Sequence, residues 1–331
     1  MTDPLAELPD AILERARELS RAGAWSDVVA MLEPMVPFAA AAGDVRVLYA
    51  EALMRVGRER SACEWLRQIM PMLISTGDRL NHRRALNLLG VGSFSLGDLE
   101  EASGALNTAV DLAQQEEDLL LFARATNNLG AIANTRGEHE AALGHYRLAV
   151  PAYQRLGQRR GLAESYHNIA ITYRDIGALE EADEYERRAM DYAAAGVAPR
   201  VAAMGLIGRA EVALRRGDPQ FARGTAQRAA AELQELGDPM NEADAHRLVG
   251  TAATAMGRFT DADAAFDRAL SIARERGHAL IEAETLRDRA KGLNGRGAHP
   301  EARRDAEASM ALFERLGATS EVEALRGMLQ D

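Results

Sequence analysis

The chain has 331 residues, 47% of them apolar and 5% aromatic, with a formal net charge of −11. An acidic balance disfavours nucleic acid as the main partner, because phosphate binding is driven by clustered cations. No run approaches the roughly 18 apolar residues of a membrane span, and Cys63 is the only cysteine, so no internal disulfide can form. Met1-Thr2-Asp3-Pro4 lacks a basic stretch followed by an apolar one, so no signal peptide is visible and a cytoplasmic location is expected.

Residues 1–8 read as a short lead. From there a repeat governs the chain. Gly57, Gly97, Gly137, Gly177, Gly217, Gly257 and Gly297 stand 40 residues apart, and each is followed five residues later by an alanine, from Ala62 to Ala302. A second comb runs through Gly77, Gly157, Gly237, Gly277 and Gly317, with other residues at 117 and 197. One supersecondary unit copied along the chain requires its two tight turns at fixed places. With the first glycine comb at slot 15, the units are 9–42, 43–82, 83–122, 123–162, 163–202, 203–242, 243–282 and 283–322, leaving 323–331 as the end of a cap and a tail.

Within each unit a stretch of about 14 residues before the turn glycine is predicted to be helical, as is the stretch after it. In the third unit Leu86, Leu89 and Ser93 share a face with Gly90, and Leu99, Ala102, Leu106, Ala109 and Val110 recur at the amphipathic helix period. No segment alternates in the manner of a strand. Slot 8 is always small (Ala16, Ala50, Gly90, Gly130, Ala170, Ala210, Gly250, Ala290), which predicts close approach of the two helices of a unit. Pro37, Pro71 and Pro151 fall inside second helices, where proline removes a backbone donor and local kinks are expected. Val322, Leu325, Met328 and Leu329 mark residues 320–329 as a capping helix over the last core face. The expected fold is all-α, a right-handed solenoid of about eight helix–turn–helix repeats.

These features resemble the tetratricopeptide repeat. Leu89, Leu129 and Ile169 match its slot 7, the small residues its slot 8, the turn glycines its slot 15, the alanines its slots 20 and 27, and Tyr146 and Phe266 its slot 24. The six extra residues and the missing proline at slot 32 are similar to the longer variant of bacterial sensor–regulators, kinesin light chains and spindle adaptors. The resemblance spans about residues 9–322. It implies a concave groove lined by slots 2, 5, 6, 9, 12 and 13 of the first helices. Those slots hold Arg84, Asn87, Arg124, Asn127, Asn128, Asn134, His167, Asn168 and Arg174, and, as a possible second patch, Arg247, Arg287, Lys291 and Asn294. Asparagine amides both donate and accept, and arginines pair with carboxylates. The implied partner is therefore a protein or peptide segment, acidic or carboxylate-bearing at units three and four, where the groove is positive. Over the whole inner face the charges balance, with Glu164, Asp175, Glu211, Asp244, Glu284 and Asp288 among the negatives. The chaperone-tail clamp of the family is not matched, because Val91 and Glu164 stand where it needs Asn and Lys.

Signals for catalysis, cofactors and metals are absent. No Gly-rich loop ends in Gly-Lys-Ser/Thr, and Gly90-Val91-Gly92 lies in a helical stretch with no strand before it. His139, Glu140 and His145 do not make the zinc-protease helix, since histidines six apart point to different sides. Cys63, Trp25 and Trp65 are expected in the core. The expected function is a non-catalytic scaffold or adaptor. The alternative is a peptide-responsive regulator that changes shape and controls a separate protein, since repeats beginning near residue 9 leave no room for a DNA-binding domain ahead of them. Self-association through terminal repeats is a third possibility.

Overall fold

The glycine combs set the chain's turns. In the computed structural model, which describes residues 8–35, 43–316 and 318–330, every glycine of the 40-residue comb has positive φ, between 71° and 82°. A Cβ added at Gly137 would meet nothing within 4 Å. The requirement is therefore for a left-handed backbone and not for space. In the second comb, the glycine missing at 117 is replaced by Glu117 in the same left-handed region, with φ 55°. At the other gap the turn moves two residues upstream, to Ala195 and Gly196, and the preceding helix is correspondingly shorter.

The described residues contain seventeen helices. They are α1 (Leu8–Arg21), α2 (Trp25–Leu32), α3 (Gly43–Arg55), α4 (Glu59–Ser75), α5 (Arg79–Ser95), α6 (Leu99–Gln115), α7 (Leu119–Thr135), α8 (His139–Arg155) and α9 (Arg159–Asp175). The remainder are α10 (Leu179–Ala193), α11 (Pro199–Arg215), α12 (Pro219–Glu235), α13 (Pro239–Ala255), α14 (Phe259–Arg276), α15 (Ala279–Gly295), α16 (His299–Leu316) and α17 (Thr319–Gln330). Odd-numbered helices are the first of each pair. From α5 onward each begins four residues ahead of slot 1, so first helices run about 17 residues and not 14. Asp78, Asp98, Asp118, Asp218 and Asp238 cap the helices that follow them, each carboxylate accepting from the backbone N–H three residues on.

The chain divides into two compact units, residues 1–161 and 162–331. In each, a helix packs on its neighbours in sequence, and first helices also meet the next first helix: α3 with α5 and α5 with α7 in one unit, α11 with α13 and α13 with α15 in the other. This is the helix-pair stacking of an all-α solenoid.

Alanine makes the stacking possible. The slot-20 alanines Ala62, Ala102, Ala142, Ala182 and Ala222 are fully buried, as are Ala109, Ala149, Ala189, Ala229 and Ala269 at slot 27. Slot 8 is tuned to what faces it. Where it is glycine, slot 24 of the same unit is large and fills the space. A Cβ on Gly90 would lie 2.5 Å from Leu106, on Gly130 2.5 Å from the Tyr146 ring, and on Gly250 2.7 Å from the Phe266 ring. At Ala210 and Ala290 the corresponding residues are Ala226 and Ala306, all four fully buried.

Helices α4 and α8 run unbroken through Pro71 and Pro151, the positions where local kinks are expected. Both prolines are exposed, so the carbonyl that loses its donor is on the side open to water. Pro37 lies outside the described residues. The cap is present: α17 packs on α16, burying Val322 and Leu325 in a cluster with Leu312 and Phe313. Cys63 is fully buried beside Ser93, and burial raises its thiol pKa. The tryptophans are half-buried at the core's edge and not inside it. Trp65 donates its ring N–H to the Arg46 carbonyl at 3.0 Å and packs edge-on against Tyr49, and Arg55 lies over Trp25. No described helix is long and apolar enough to cross a membrane.

Candidate functional site

In the first unit the groove residues sit on α5 and α7. Arg84 is half-exposed and reaches Asp44 at 3.7 Å and the Asn81 side chain at 3.4 Å, so part of the expected positive charge is neutralised. Arg124 is exposed and has no ion pair among the described residues, and Asn128 is half-buried beside it in sequence. Asn127, expected to line the groove, is buried at 6% exposure. The Oδ1 of Asn87 and the Oγ1 of Thr126 are buried without hydrogen-bond partners. Asn134 bonds His139 at 3.1 Å, and Asn294 repeats the contact with His299 at 2.7 Å, which ties both asparagines to the turn that follows.

The second unit concentrates chemistry. A cavity of about 210 Å³ is lined by four successive first helices: His167, Ile171 and Arg174 from α9, Met204, Ile207, Gly208 and Glu211 from α11, Asn241, Asp244 and Arg247 from α13, and Glu284 from α15. Apart from Asn241, these are the slots to which the resemblance assigns the groove. The structure thus brings His167 and Arg174 together with Arg247, which the sequence had placed in separate patches. Arg287, Lys291 and Asn294 line a different hollow of about 360 Å³ against Ala324, Leu325 and Met328. Lys291 is exposed and has no ion pair; it is the one lysine in the chain.

Two buried charge systems shape the cavity. Arg247 is 7% exposed. It bonds Asp288 at 2.6 Å and Asp244 at 2.7 Å, with Glu211 at 3.4 Å and Glu284 at 4.0 Å. Burial lowers its pKa, but the four carboxylates outweigh that and hold it well above the ordinary arginine value. Arg174 pairs with Glu211, and its Nε is buried without a hydrogen bond, 3.8 Å from Asp175. Arg287 pairs with Asp288 at 2.9 Å and Glu321 at 3.0 Å. The second system is His167, whose Nδ1 lies 2.9 and 3.1 Å from the two carboxylate oxygens of Glu186 on α10. Burial pulls the ring's pKa down, yet the charge and hydrogen bond of Glu186 leave it above the ordinary value. Space for Glu186 comes from α11: a Cβ on Gly208 would lie 2.1 Å from its Oε1, and one on Gly205 would also be tight. Asn168 is half-buried next to His167.

The arginines expected to bind an outside carboxylate are therefore already engaged by carboxylates of the chain, except Arg124. Glu186 was missed because it lies on a second helix, outside the groove slots. Among the described residues no three histidine, cysteine or acidic side chains come together as a metal site would require.

Residues 121–195 match the family model of the tetratricopeptide repeat. No curated protein sequence matches the chain significantly. Solved structures share its fold. One is a Rap protein complexed with competence and sporulation factor, with TM-score 0.65 and 16% identity over 98% of this chain and 97% of that one. Another is the Rap conjugation gene regulator of plasmid pLS20 with the Phr* peptide, with TM-score 0.69 and 13% identity over 85% and 76%. A third is the apo quorum sensor NprR from B. thuringiensis, with TM-score 0.62 and 13% identity over 97% of each chain. The family match thus covers residues 121–195, and the likeness to these structures is one of fold.

Proposed function

We propose that this tetratricopeptide-type array is a non-catalytic, cytoplasmic scaffold that holds a peptide, or an extended segment of a partner protein, along its first helices. The observation that carries the reading is the cavity of the second unit, built from groove slots of four successive first helices. Its volume of about 210 Å³ is below the roughly 300–1,000 Å³ of a small-molecule site, which suits one side chain of a longer ligand. Apolar Ile171, Met204 and Ile207 alternate with charged groups on its walls, the mixture by which pockets combine affinity with orientation. In the first unit the unpaired Arg124, with Asn128, offers donors to an acidic or carboxylate-bearing stretch. A second reading is supported by the likeness to the Rap and NprR structures: the same groove serves a peptide-responsive regulator acting on a separate protein.

Affinity selection of a degenerate pentapeptide library on the immobilised full chain tests the proposal. Peptides should be retained by the wild type and lost by Met204→Trp, which fills the cavity, with the melting curve unchanged. Equal retention by a folded Met204→Trp would rule out this cavity as the site.

A further inference from the structure

We infer that the cavity of the second unit takes a cationic residue of the bound segment, its guanidinium or ammonium resting on the Glu284 carboxylate and the segment's backbone meeting the free ring nitrogen of His167. The inference rests on the peptide-binding reading above and adds the chemistry that the cavity selects.

Three observations carry it. First, the cavity's arginines are already committed to carboxylates of the chain. Arg247 is buried, and its Nε, Nη1 and Nη2 are each within hydrogen-bond distance of Asp244 or Asp288. Arg174 is held by Glu211 through one terminal nitrogen, and its Nε faces Asp175 at 3.8 Å. Second, acceptor capacity is left over. Among the described residues Glu284 makes no hydrogen bond, its nearest cation is Arg247 at 4.0 Å, and its side chain, which lines the cavity, remains 27% exposed. Burial has already raised its pKa, so the carboxylate gains by receiving a new positive partner. Among the residues lining the cavity, three carboxylates (Glu211, Asp244 and Glu284) face two arginines (Arg174 and Arg247), and only a protonated His167 balances them. Third, the other end of the cavity offers a ring nitrogen. The His167 Nδ1 is committed to Glu186, and among the described residues no hydrogen bond engages its Nε2, although the ring lines the cavity. An extended peptide supplies backbone amide groups that can meet it.

The test uses acetylated, amidated pentapeptide pools, each fixed at one position as arginine, as its neutral isostere citrulline, or as glutamate, and degenerate elsewhere. On the full wild-type chain, one fixed position should favour arginine over citrulline by about tenfold or more, the range of a charge-assisted hydrogen bond. Glu284→Gln keeps the shape and removes the charge; it should bring the arginine and citrulline pools to near equality while both are still retained. Equal recovery of arginine and citrulline by the wild type, or preference for glutamate, would overturn the inference and leave the peptide reading standing. Retention of the arginine preference in Glu284→Gln would overturn the assignment to Glu284. If no pool is retained by the wild type, the peptide reading fails and the inference with it.

Discussion

Gly250→Ala is the sharpest probe of how this array is packed, because two opposing terms of known size meet at one atom. Gly250 lies inside α13, where glycine costs a helix about 1 kcal/mol relative to alanine. On propensity alone the substitution stabilises. The structure predicts the reverse. The added Cβ would stand 2.7, 2.8 and 2.9 Å from three ring atoms of Phe266, which is itself 1% exposed and cannot swing into solvent. Ordinary carbon contacts are about 3.5–4.0 Å, so the ring or α14 must move by about 1 Å. Overpacking of this kind costs about 1–3 kcal/mol, and the net expectation is a loss of about 1 kcal/mol. The control is Phe266→Ala, which costs about 3–5 kcal/mol by itself but creates the Ala226 and Ala306 situation. In that background Gly250→Ala should become favourable by about 1 kcal/mol, giving a coupling near 2 kcal/mol in a double-mutant cycle. Urea denaturation of the four proteins, followed by circular dichroism, measures it. A stabilising Gly250→Ala in the wild-type background, or the same effect in both, would refute the packing argument.

Three further outcomes are expected. Gly137→Val should lower stability by about 1 kcal/mol or more, entirely from its φ of 76°, since no atom lies within 4 Å of the new Cβ; an unchanged melting curve would contradict the turn assignment. Arg247→Ala should cost about 3–5 kcal/mol by leaving buried carboxylates uncompensated, and part of the loss should return on mild acidification as Glu284, whose pKa burial raises, takes up a proton; a loss independent of pH would show that Arg247 matters for packing alone. Because the pKa of His167 is raised in the folded state, its contribution is complete below the ordinary value of 6.5 and is lost as pH rises through the higher folded value. Denaturation between about pH 6 and 9 should therefore show wild-type stability falling with a slope that His167→Gln lacks, with Glu186, Arg174 and Glu211 as the charged groups facing the ring; parallel curves would remove His167 as the source.

Helices, turns and packing could be read from the repeat because each depends on local rules renewed every 40 residues. A left-handed turn wants glycine, a close crossing wants glycine or alanine, and a helix start wants aspartate. Glu117 shows the limit: it adopts the glycine conformation without a glycine, held by turns on either side that the array imposes. The candidate site was less legible. Groove slots of four successive first helices line one cavity, but Arg247 and Arg174, read as candidate binding residues, are engaged within the chain. Their partners sit in the next or previous repeat, Arg247 with Asp288 41 residues on, and Arg174 with Glu211 37 residues on. In an array of period 40 these separations mean adjacency, so the pairs were readable in principle. Asn127, like His167 and Arg247 at the same slot, is buried, which the slot pattern alone did not indicate. Glu186 had one signal. Gly205 and Gly208 lie inside α11, and glycines inside a helix have a packing reason more often than not. Here that reason is the buried carboxylate beside His167.

The most direct test of the central claim is hydrogen–deuterium exchange on the full chain with and without the tightest-binding peptide recovered from the pentapeptide library. The account predicts new protection on α9, α11, α13 and α15, centred on residues 167–174, 204–211, 241–247 and 284–288, with the even-numbered helices unchanged. Protection confined to α10, α12, α14 or α16 would put the ligand on the opposite helices and contradict the groove.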